Sequence, residues 1–404
     1  MIPHLEDYTK IVGKDTITKL KESSERLQGK HISHVNTTSQ GGGVAEILNT
    51  LVILMNQLKI DTAWRIFKGS HHFFNISKKI HNGMQGDQTV KMTNFRKRVY
   101  LEETERNCIM NHFKVEDLVI VHDPQPAAMI EHYKRRQPWI WRCHIDIVHA
   151  NPNIWDFIRP FVNKYDGTIV SMEKYKKPDM TPPNHIIMPS IDPLSIKNLP
   201  IRKDRRNKVL QKRGIDIDRP IITQISRFDP WKDPIGVTKM WEKVRKKVPD
   251  CQLVLMGDMA SDDPEGPVIY EKVRAKVGDN PDVHLITERN DVLVNCLQTD
   301  SQVIIQKSIR EGFGLTVSEA LWKGTPVITT NRGGLPMQVL HDKTGFIMDT
   351  IDQGTKHCID LIKDPNLRNR LGEAGKEHVR QNYLITRHLQ DYIDLANKYI
   401  EDKE

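Results

Sequence analysis

The sequence lacks the features that define secreted, membrane-spanning and metal-binding proteins. Its five cysteines among 404 residues are far apart and include no C-x-x-C pair, so neither a disulfide framework nor a cysteine zinc site is predicted. No H-x-x-x-H pair occurs either, and we predict no metal site. No apolar run approaches the roughly 20 residues that cross a bilayer, and the first residues carry no charged-then-apolar signal. We therefore expect a cytoplasmic protein that does not bind a membrane.

Three motifs of common enzyme classes are also missing. The absence of G-x-S-x-G argues against an α/β-hydrolase, and the absence of G-x-x-x-x-G-K-[ST] argues against a Walker-type nucleotidase. The first glycine turn, Gly41-Gly42-Gly43, is not G-x-G-x-x-G, and the predicted second strand ends in Phe67-Lys68 instead of an acidic residue that would bind a ribose. A dinucleotide redox cofactor is therefore disfavoured.

The charge balance does not indicate a polymeric partner. The formal net charge is +8, but the lysines and arginines are interleaved with acids, and the two basic clusters at 202–206 and 245–247 are typical of solvated faces. We expect no nucleic-acid partner, and a positive field of this kind suits phosphorylated small molecules. The length of 404 residues fits two domains of nearly equal size.

Apolar strand patterns alternate with helical patterns along the chain, which predicts parallel sheets covered on both faces. A stretch rich in proline and lysine, from 173 to 220, contains the predicted domain boundary at 190–193. We therefore predict an α/β protein of two doubly wound, Rossmann-like domains. The pair His71-His72 is placed in a polar loop. The predicted strands are 31–36, 62–67, 117–126, 139–145, 167–172, 186–188, 221–226, 252–256, 283–286, 303–305 and 327–329.

The stretch 308–329 connects a predicted strand to a short helical pattern through a glycine-containing loop. Gly312 and Gly314 let the backbone approach a ligand closely, and unpaired amides at a helix start favour an anion. Glu311 and Glu319 flank the loop with seven residues between them, and carboxylates accept hydrogen bonds from hydroxyls. A ligand with both phosphates and hydroxyls fits this pattern, and a sugar nucleotide has both.

Further phosphate-binding groups follow two other predicted strands. Arg227 and Lys232 leave the strand 221–226 five residues apart; a guanidinium and an ammonium there can bind a diphosphate and stabilise it as a leaving group. The alternative is a surface ion pair with Asp229 or Asp233. The glycine turn 41–43 can also bring amides to a phosphate, although a plain tight turn explains it equally well.

Polar residues at two strand ends of the N-terminal half suit a sugar. The sequence H-D-P-Q-P at 122–126 ends one predicted strand, and W-R-C-H-I-D at 141–146 ends another. Their donors and acceptors match those of sugar hydroxyls, and a tryptophan can supply an apolar ring face. A lone histidine here would more often be structural, but two polar clusters at neighbouring strand ends favour a binding site. The candidate side chains are Asp123, Gln125, Arg142 and Asp146.

Seven motifs in order resemble the retaining glycosyltransferase family four, and within it the group of trehalose synthases and trehalose phosphorylases. They are G-G-G-V-A-E-I-L, H-D-P-Q-P, W-I-W-R-C-H-I-D, M-P-S-I-D-P-L-S, R-P-I-I-T-Q-I-S-R-F-D-P-W-K, D-D-P-E-G and S-I-R-E-G-F-G-L-T-V-S-E-A. One such motif is weak evidence, whereas seven in order are specific. The resemblance implies the GT-B fold, with two facing Rossmann-like domains and a cleft between them.

The resemblance implies a task for each domain and each candidate residue. Residues 1–190 would bind the acceptor, residues 191–379 would bind the donor, and a last helix over 380–404 would pack back on the N-terminal domain. Glu319 would bind the donor ribose, Glu311 the glucose 3- and 4-hydroxyls, and Arg227 and Lys232 the diphosphate. His144 would lie close to the donor sugar, and Asp123, Gln125, Arg142 and Asp146 would face the acceptor. The implied amides around the donor are those of Gly42, Gly43, Gly312, Phe313, Gly314, Leu315 and Thr316.

The implied reaction is reversible transfer of glucose from UDP-, ADP- or GDP-glucose to glucose, which gives α,α-trehalose with retention. A trehalose phosphorylase, another hexosyltransferase of family four and a catalytically silent sugar-nucleotide sensor stay open as alternatives. No tightly bound cofactor is implied, Mg²⁺ can accompany the diphosphate, and a homodimer is left open. Asp233, where many members have glycine, Arg332 before a glycine pair, and residues 173–185 depart from the family pattern.

Overall fold

The computed structural model describes residues 2–39, 42–257 and 265–401. The chain forms two compact units: unit 1 comprises Met1–Ser190 with Ile385–Glu404, and unit 2 comprises Ile191–Leu384. Gly41 of the glycine turn and the first three residues of D-D-P-E-G lie outside the described residues. Each unit contains a parallel six-stranded sheet with helices packed around it.

Unit 1 has its strands in the order β2-β1-β3-β4-β5-β6. All residues of β3, β4 and β5 are buried, as expected for apolar runs in a sheet covered on both faces. The strands are β1 His31–Asn36, β2 Asp61–Ile66, β3 Leu118–His122, β4 Trp139–Arg142, β5 Gly167–Val170 and β6 Asn184–Ile186. The helices are α1 Thr9–Val12, α2 Lys14–Ser24, α3 Gly42–Gln57, α4 His71–Met84, α5 Asn94–Met110 and α6 Pro152–Val162.

Unit 2 repeats this arrangement with the order β12-β11-β10-β7-β8-β9. Its strands are β7 Ile221–Ile225, β8 Gln252–Met256, β9 Val283–Ile286, β10 Val303–Gln306, β11 Val327–Thr330 and β12 Gly345–Met348. Its helices are α7 Lys203–Gln211, α8 Pro234–Arg245, α9 Glu265–Val277, α10 Asp291–Asp300, α11 Leu315–Trp322, α12 Leu335–Gln338, α13 Ile351–Lys363 and α14 Pro365–Asn382.

The last helix, α15 Ile385–Glu401, belongs to unit 1. Tyr399 reaches the sheet, where its hydroxyl lies 2.8 Å from Nε2 of His185. A side chain on Gly167 would overlap the Tyr399 hydroxyl, so a larger residue there would require Tyr399 to move. The helix predicted over 380–404 therefore starts too early, because α14 continues to Asn382 and residues up to Leu384 belong to unit 2.

Several local predictions are wrong. The strands predicted over 117–126 and 139–145 end earlier, at His122 and Arg142. His71 and His72 open α4 instead of lying in a loop, because the Ser70 hydroxyl accepts from the amide of Phe73 and caps the helix. The strand predicted at 186–188 lies two residues earlier, at Asn184–Ile186, where Thr168 pairs with Asn184.

All five cysteines are buried as free thiols. Among the described helices, none is long and apolar enough to cross a membrane. The described ranges also contain no group of three His, Cys, Asp or Glu side chains that could hold a metal ion.

The strand order places the candidate residues at the topological switch point of the sheet in each unit. β1 neighbours β3 in unit 1, and β7 neighbours β10 in unit 2. The connections from these neighbours leave in opposite directions across the sheet, and such a switch point opens a crevice at the carboxyl ends of the strands. The polar clusters after β3 and β4 and the two loops after β7 and β10 lie at these ends.

Candidate active site

The loop after β10 ends at the N-terminus of α11. Gly314, the N-cap residue, has a φ of 85° and contributes no side-chain cap. This left-handed conformation favours glycine. The first residues of α11 are Leu315 and Thr316, and no side chain of the cap residue accepts a hydrogen bond from their amides. An anion site at a helix start requires such amides.

Glu311 is almost completely buried beneath this loop. One of its oxygens, Oε2, accepts from Nζ of Lys232 at 2.6 Å, from the Ser308 hydroxyl at 2.9 Å and from Nε2 of Gln306 at 3.0 Å. Burial by itself raises the pKa of Glu311, but the charge of Lys232 and these hydrogen bonds outweigh it and lower the pKa. Glu311 is thus a fixed carboxylate, held through Oε2 by all three of these bonds.

Lys232 lies at the end of a 3₁₀ turn, Pro230–Lys232, that follows β7. Its carbonyl accepts from Nε2 of Gln224 on β7 at 2.8 Å. The amide of Ile309 donates to the carbonyl of Trp231 at 2.7 Å, which joins this turn to the loop after β10. The structure therefore brings together Lys232 and Glu311, which are 79 residues apart in the sequence.

The negative charge of Asp233 is balanced within unit 2. Asp233 has a φ of 47°, and its Oδ1 accepts from the Gly236 amide at 2.9 Å, which caps α8. Its Oδ2 pairs with Nζ of Lys307. Lys307 was missed from the sequence, although it directly follows β10. The conformation of Asp233 also explains why glycine suits this position.

Arg227 does not join the Lys232 network through its recorded ion pair. Its Nη2 lies 3.6 Å from Oδ2 of Asp229, and about half of its side chain is exposed. Asp229 in turn accepts from the Trp231 amide at 2.7 Å. The ion pair named as the alternative for Arg227 is therefore present, and contact with a diphosphate stays a prediction.

Glu319 lies on α11, one helical turn after the first residue of that helix, and has its own set of buried partners. Its Oε2 accepts from Nε2 of Gln298 at 2.9 Å, and its Oε1 lies 3.4 Å from Nζ of Lys197. Lys323 donates to Oδ1 of Asn198 at 2.7 Å and to the Glu319 carbonyl at 3.2 Å. Burial lowers the pKa of Lys323 to about 7, and Glu319 keeps a lowered pKa despite its burial because Lys197 and Lys323 lie beside it. Neither lysine was recognised in the sequence.

The glycine pair after β11 supports the Glu311 loop from behind. A side chain on Gly333, whose φ is 52°, would overlap the Glu311 carbonyl, and the Gly334 amide donates to the Gly312 carbonyl at 3.0 Å. Gln338 donates to the carbonyl of Phe313 at 2.5 Å. In the sequence this glycine pair stands out only because Arg332 precedes it. Arg332 itself is exposed.

In unit 1, Asp123 follows β3 in a left-handed conformation with a φ of 66°. Its Oδ1 accepts from the backbone amide of His144 at 2.8 Å, and its carbonyl accepts from Nε1 of Trp141 at 3.0 Å. Burial raises the pKa of Asp123 to about 6. Asp123 and His144 are therefore brought together, and the hydrogen bond to Asp123 fixes the backbone of the loop that carries His144.

The other candidate acceptor residues are more dispersed. Arg142 is fully buried, and its Nη2 donates to the Ile187 carbonyl at 2.6 Å; its contact with an acceptor stays a prediction. Asp146 is partly exposed and accepts from the Val148 amide at 3.0 Å. Gln125 is partly exposed, and its buried Oε1 has no protein partner among the described atoms.

Gly42 and Gly43 are the first residues of α3, and residues 37–41 connect them to the carboxyl end of β1. Gly42 has a φ of 79°, and a Cβ built on it would meet no atom of the described residues within 4 Å. The turn is thus open on that side, which suits the predicted approach to a phosphate but also suits a plain turn.

Comparisons with known proteins identify the family. Residues 34–177 match the model of the trehalose synthase N-terminal domain, and residues 205–378 match that of group 1 glycosyl transferases. The trehalose synthase of Pyrococcus horikoshii is 43% identical over 397 residues, which cover 97% of this chain and 96% of the relative. The chain belongs to the trehalose synthase family.

As a member of the trehalose synthase family, the protein is a glycosyltransferase, and its reaction is a trehalose-related glycosyl transfer. The predicted resemblance is confirmed. A trehalose phosphorylase of Grifola frondosa is 28% identical, and the match covers 99% of this chain but 62% of the phosphorylase. The structure of sucrose-phosphate synthase from Thermosynechococcus elongatus superposes with a TM-score of 0.71 at 15% identity, covering 92% of this chain and all of that one. The predicted GT-B fold class is thereby confirmed.

Proposed function

We propose that the protein transfers glucose from a nucleoside diphosphate-glucose to free glucose, and so forms α,α-trehalose with retention at the donor carbon. The observation that carries this proposal is the Lys232–Glu311 pair, 2.6 Å apart, beside the start of α11. The ammonium and the helix amides suit a diphosphate, whereas the carboxylate suits sugar hydroxyls. The 43% identity to the trehalose synthase of Pyrococcus horikoshii supports trehalose as the product.

The proposed step exchanges one bond at the anomeric carbon for another. The bond from C1 of the donor glucose to the diphosphate oxygen breaks, and the anomeric hydroxyl of the acceptor bonds to C1 on the same face. The hydroxyl proton passes to the departing diphosphate, whose charge Lys232 and Arg227 would stabilise. Glu311 and Glu319 are each paired with a cation of their own, Lys232 and Lys197, which supports this route over the double displacement of retaining glycosidases with their paired carboxylates.

Product analysis with defined donors tests the proposal. The purified protein is incubated with ¹³C-labelled glucose and UDP-, ADP- or GDP-glucose, with and without Mg²⁺. We expect at least one donor to yield α,α-trehalose labelled in one ring, identified by its 1,1-linkage and α-anomeric couplings in the NMR spectrum. A β-linked anomer at the transferred glucose would contradict retention, and a different disaccharide would contradict the acceptor.

The reverse direction separates the proposed synthase from a phosphorylase. Trehalose is incubated with inorganic phosphate in one sample and with UDP, ADP or GDP in others. Nucleotide-glucose in the second set is the expected result. Glucose 1-phosphate formed only with phosphate would instead establish a phosphorylase, and nucleotide-sugar binding without product in either direction would indicate a silent sensor.

A further inference from the structure

Three histidine rings of unit 1 form a continuous hydrogen-bonded chain. Nδ1 of His34 on β1 lies 3.0 Å from Nε2 of His122 on β3, and Nδ1 of His122 lies 2.8 Å from Nε2 of His144 after β4. The ring centroids are 5.2 Å and 5.1 Å apart. His34 and His122 are buried, whereas His144 is partly exposed at the strand ends. The chain therefore runs from the core to the candidate site.

The three rings are neutral at the pH of ordinary assays. Burial lowers the pKa of His34 to about 3. Burial, reinforced by the nearby charge of Arg142, lowers the pKa of His122 and of His144 well below the usual value. Each ring thus carries one N–H and one bare nitrogen.

Neutrality makes the chain directional. His122 uses both nitrogens, so it donates in one of its two hydrogen bonds and accepts in the other. If it donates to His144, all three rings carry the proton on Nδ1, and His144 has an N–H directed away from the chain. If it donates to His34, all three protons lie on Nε2, and Nδ1 of His144 is a bare acceptor.

The inner end of the chain decides between the two directions. Nε2 of His34 is buried and has no hydrogen-bond partner within the described part of the protein. Protons on Nε2 would leave a buried N–H without an acceptor there, an arrangement that is rare and unfavourable. Protons on Nδ1 leave only a bare lone pair.

A neighbouring histidine has the arrangement that this reasoning favours. Nδ1 of His388 lies 2.8 Å from the Met188 carbonyl, which can only accept, so the proton of the neutral ring is on Nδ1. Its Nε2 is bare, buried and also without a recorded partner. His388 and His34 both pack against Tyr392. The same part of the core thus already holds one imidazole with a bare Nε2.

We propose that His34 and His122 are positioning residues that fix the tautomer of His144, so that His144 presents an Nδ1–H donor at the carboxyl end of the sheet. The assignment of this donor to a sugar or phosphate oxygen rests on the proposed function, whereas the tautomer itself does not. Free imidazole side chains in water favour the Nε2–H form, so the chain of rings acts against the intrinsic preference of His144.

The tautomer is read directly from the ligand-free full-length protein. In a long-range ¹H–¹⁵N correlation spectrum of protein labelled with ¹⁵N-histidine, the protonated and bare nitrogens of each ring differ in shift and coupling pattern. The His144 signals are assigned by their loss in His144→Gln. We expect Nδ1–H for His34, His122 and His144. An Nε2–H form of His144, alone or mixed with the other, overturns the proposal whether or not the protein makes trehalose.

Two variants test the cause. His122→Phe keeps a ring in the stack but removes both nitrogens, and we expect His144 to change to Nε2–H and turnover to fall about tenfold with little change in donor KM. His34→Leu, further from His144, should give a mixture of tautomers. His185→Phe is the control, because His185 bonds to Tyr399 outside the chain. An unchanged His144 tautomer in both His122→Phe and His34→Leu overturns the positioning role.

Discussion

Lys232 donates through Nζ to Oε2 of Glu311 at 2.6 Å, and both side chains are largely buried. One residue follows β7 and the other follows β10, the two strands that meet at the switch point of the unit 2 sheet. The pair therefore connects the predicted phosphate-binding and sugar-binding groups in one network. A diphosphate that attracts Lys232 would weaken its bond to Glu311 and so change the acceptor that a sugar hydroxyl meets.

Removal of the Lys232 charge should affect turnover far more than removal of a surface lysine. We expect Lys232→Ala to lower kcat with a nucleotide-glucose donor by roughly 10²–10³, the loss typical of a group that stabilises developing negative charge. Arg227→Ala should have an effect of the same order if its pair with Asp229 opens to the diphosphate. Lys239→Ala, on the exposed side of α8, is the matched control. Wild-type turnover in both Lys232→Ala and Arg227→Ala would contradict the leaving-group role.

The pairing of Asp233 with Lys307 predicts how donor affinity responds to a charge change. Asp233→Asn keeps a side chain that tolerates a positive φ and caps a helix, but it leaves Lys307 without its recorded carboxylate. We expect the donor KM to fall about twofold to threefold at low salt because the site becomes more positive. The gain should shrink at higher ionic strength.

Steady-state kinetics at two salt concentrations measure this effect. Asp279→Asn, an exposed carboxylate after α9, serves as the control for net charge alone. An equal decrease in KM for both variants would show that the effect is a general field and not a property of the Asp233–Lys307 pair.

The fold could be predicted from the sequence because it depends on short-range patterns. Apolar runs such as Val303–Gln306 and Ile221–Ile225 have the length and composition of buried strands, and their alternation with helices indicates a parallel sheet. The ends of elements were less predictable. The α4 start, for example, depends on the single hydroxyl of Ser70, which the periodicity of apolar residues does not reveal.

The candidate site could be predicted only in part. Glu311, Lys232 and His144 lie beside glycines or at strand ends, and such positions carry a local signal. Their partners carry none, because the pairing of Lys307 with Asp233, or of His34 with His122, joins residues 74 and 88 positions apart. Sequence alone also cannot distinguish a polar side chain that faces a ligand from one that is buried. For example, the sequence does not reveal that Arg142 is fully buried and bonded to the Ile187 carbonyl.

The buried Lys323 predicts a particular dependence of stability on pH. Its pKa is about 7 in the folded protein, below that of an exposed lysine, because burial disfavours the charge. Between pH 7 and pH 10 the unfolded chain binds this proton and the folded protein does not, so stability rises with pH by up to about 1.4 kcal/mol per unit. Lys323→Met removes this contribution. The unfolding free energy of the wild type minus that of the variant should therefore become more positive from pH 7 to pH 10. A difference that does not change with pH would contradict the lowered pKa.

The loop that carries Glu311 packs so closely against Gly333 that we predict a need for glycine at this position. Gly333 and Gly278 have φ values of 52° and 58°, but a Cβ on Gly333 would overlap the Glu311 carbonyl, whereas one on Gly278 would meet nothing within 4 Å. Gly278→Ala should cost about 1 kcal/mol of stability from backbone strain alone. Gly333→Ala should cost more and should also lower turnover by at least tenfold, since the carbonyls of Glu311 and Gly312 must move. Thermal unfolding and donor kinetics of the two variants measure both effects, and equal behaviour would show that the loop does not depend on this contact.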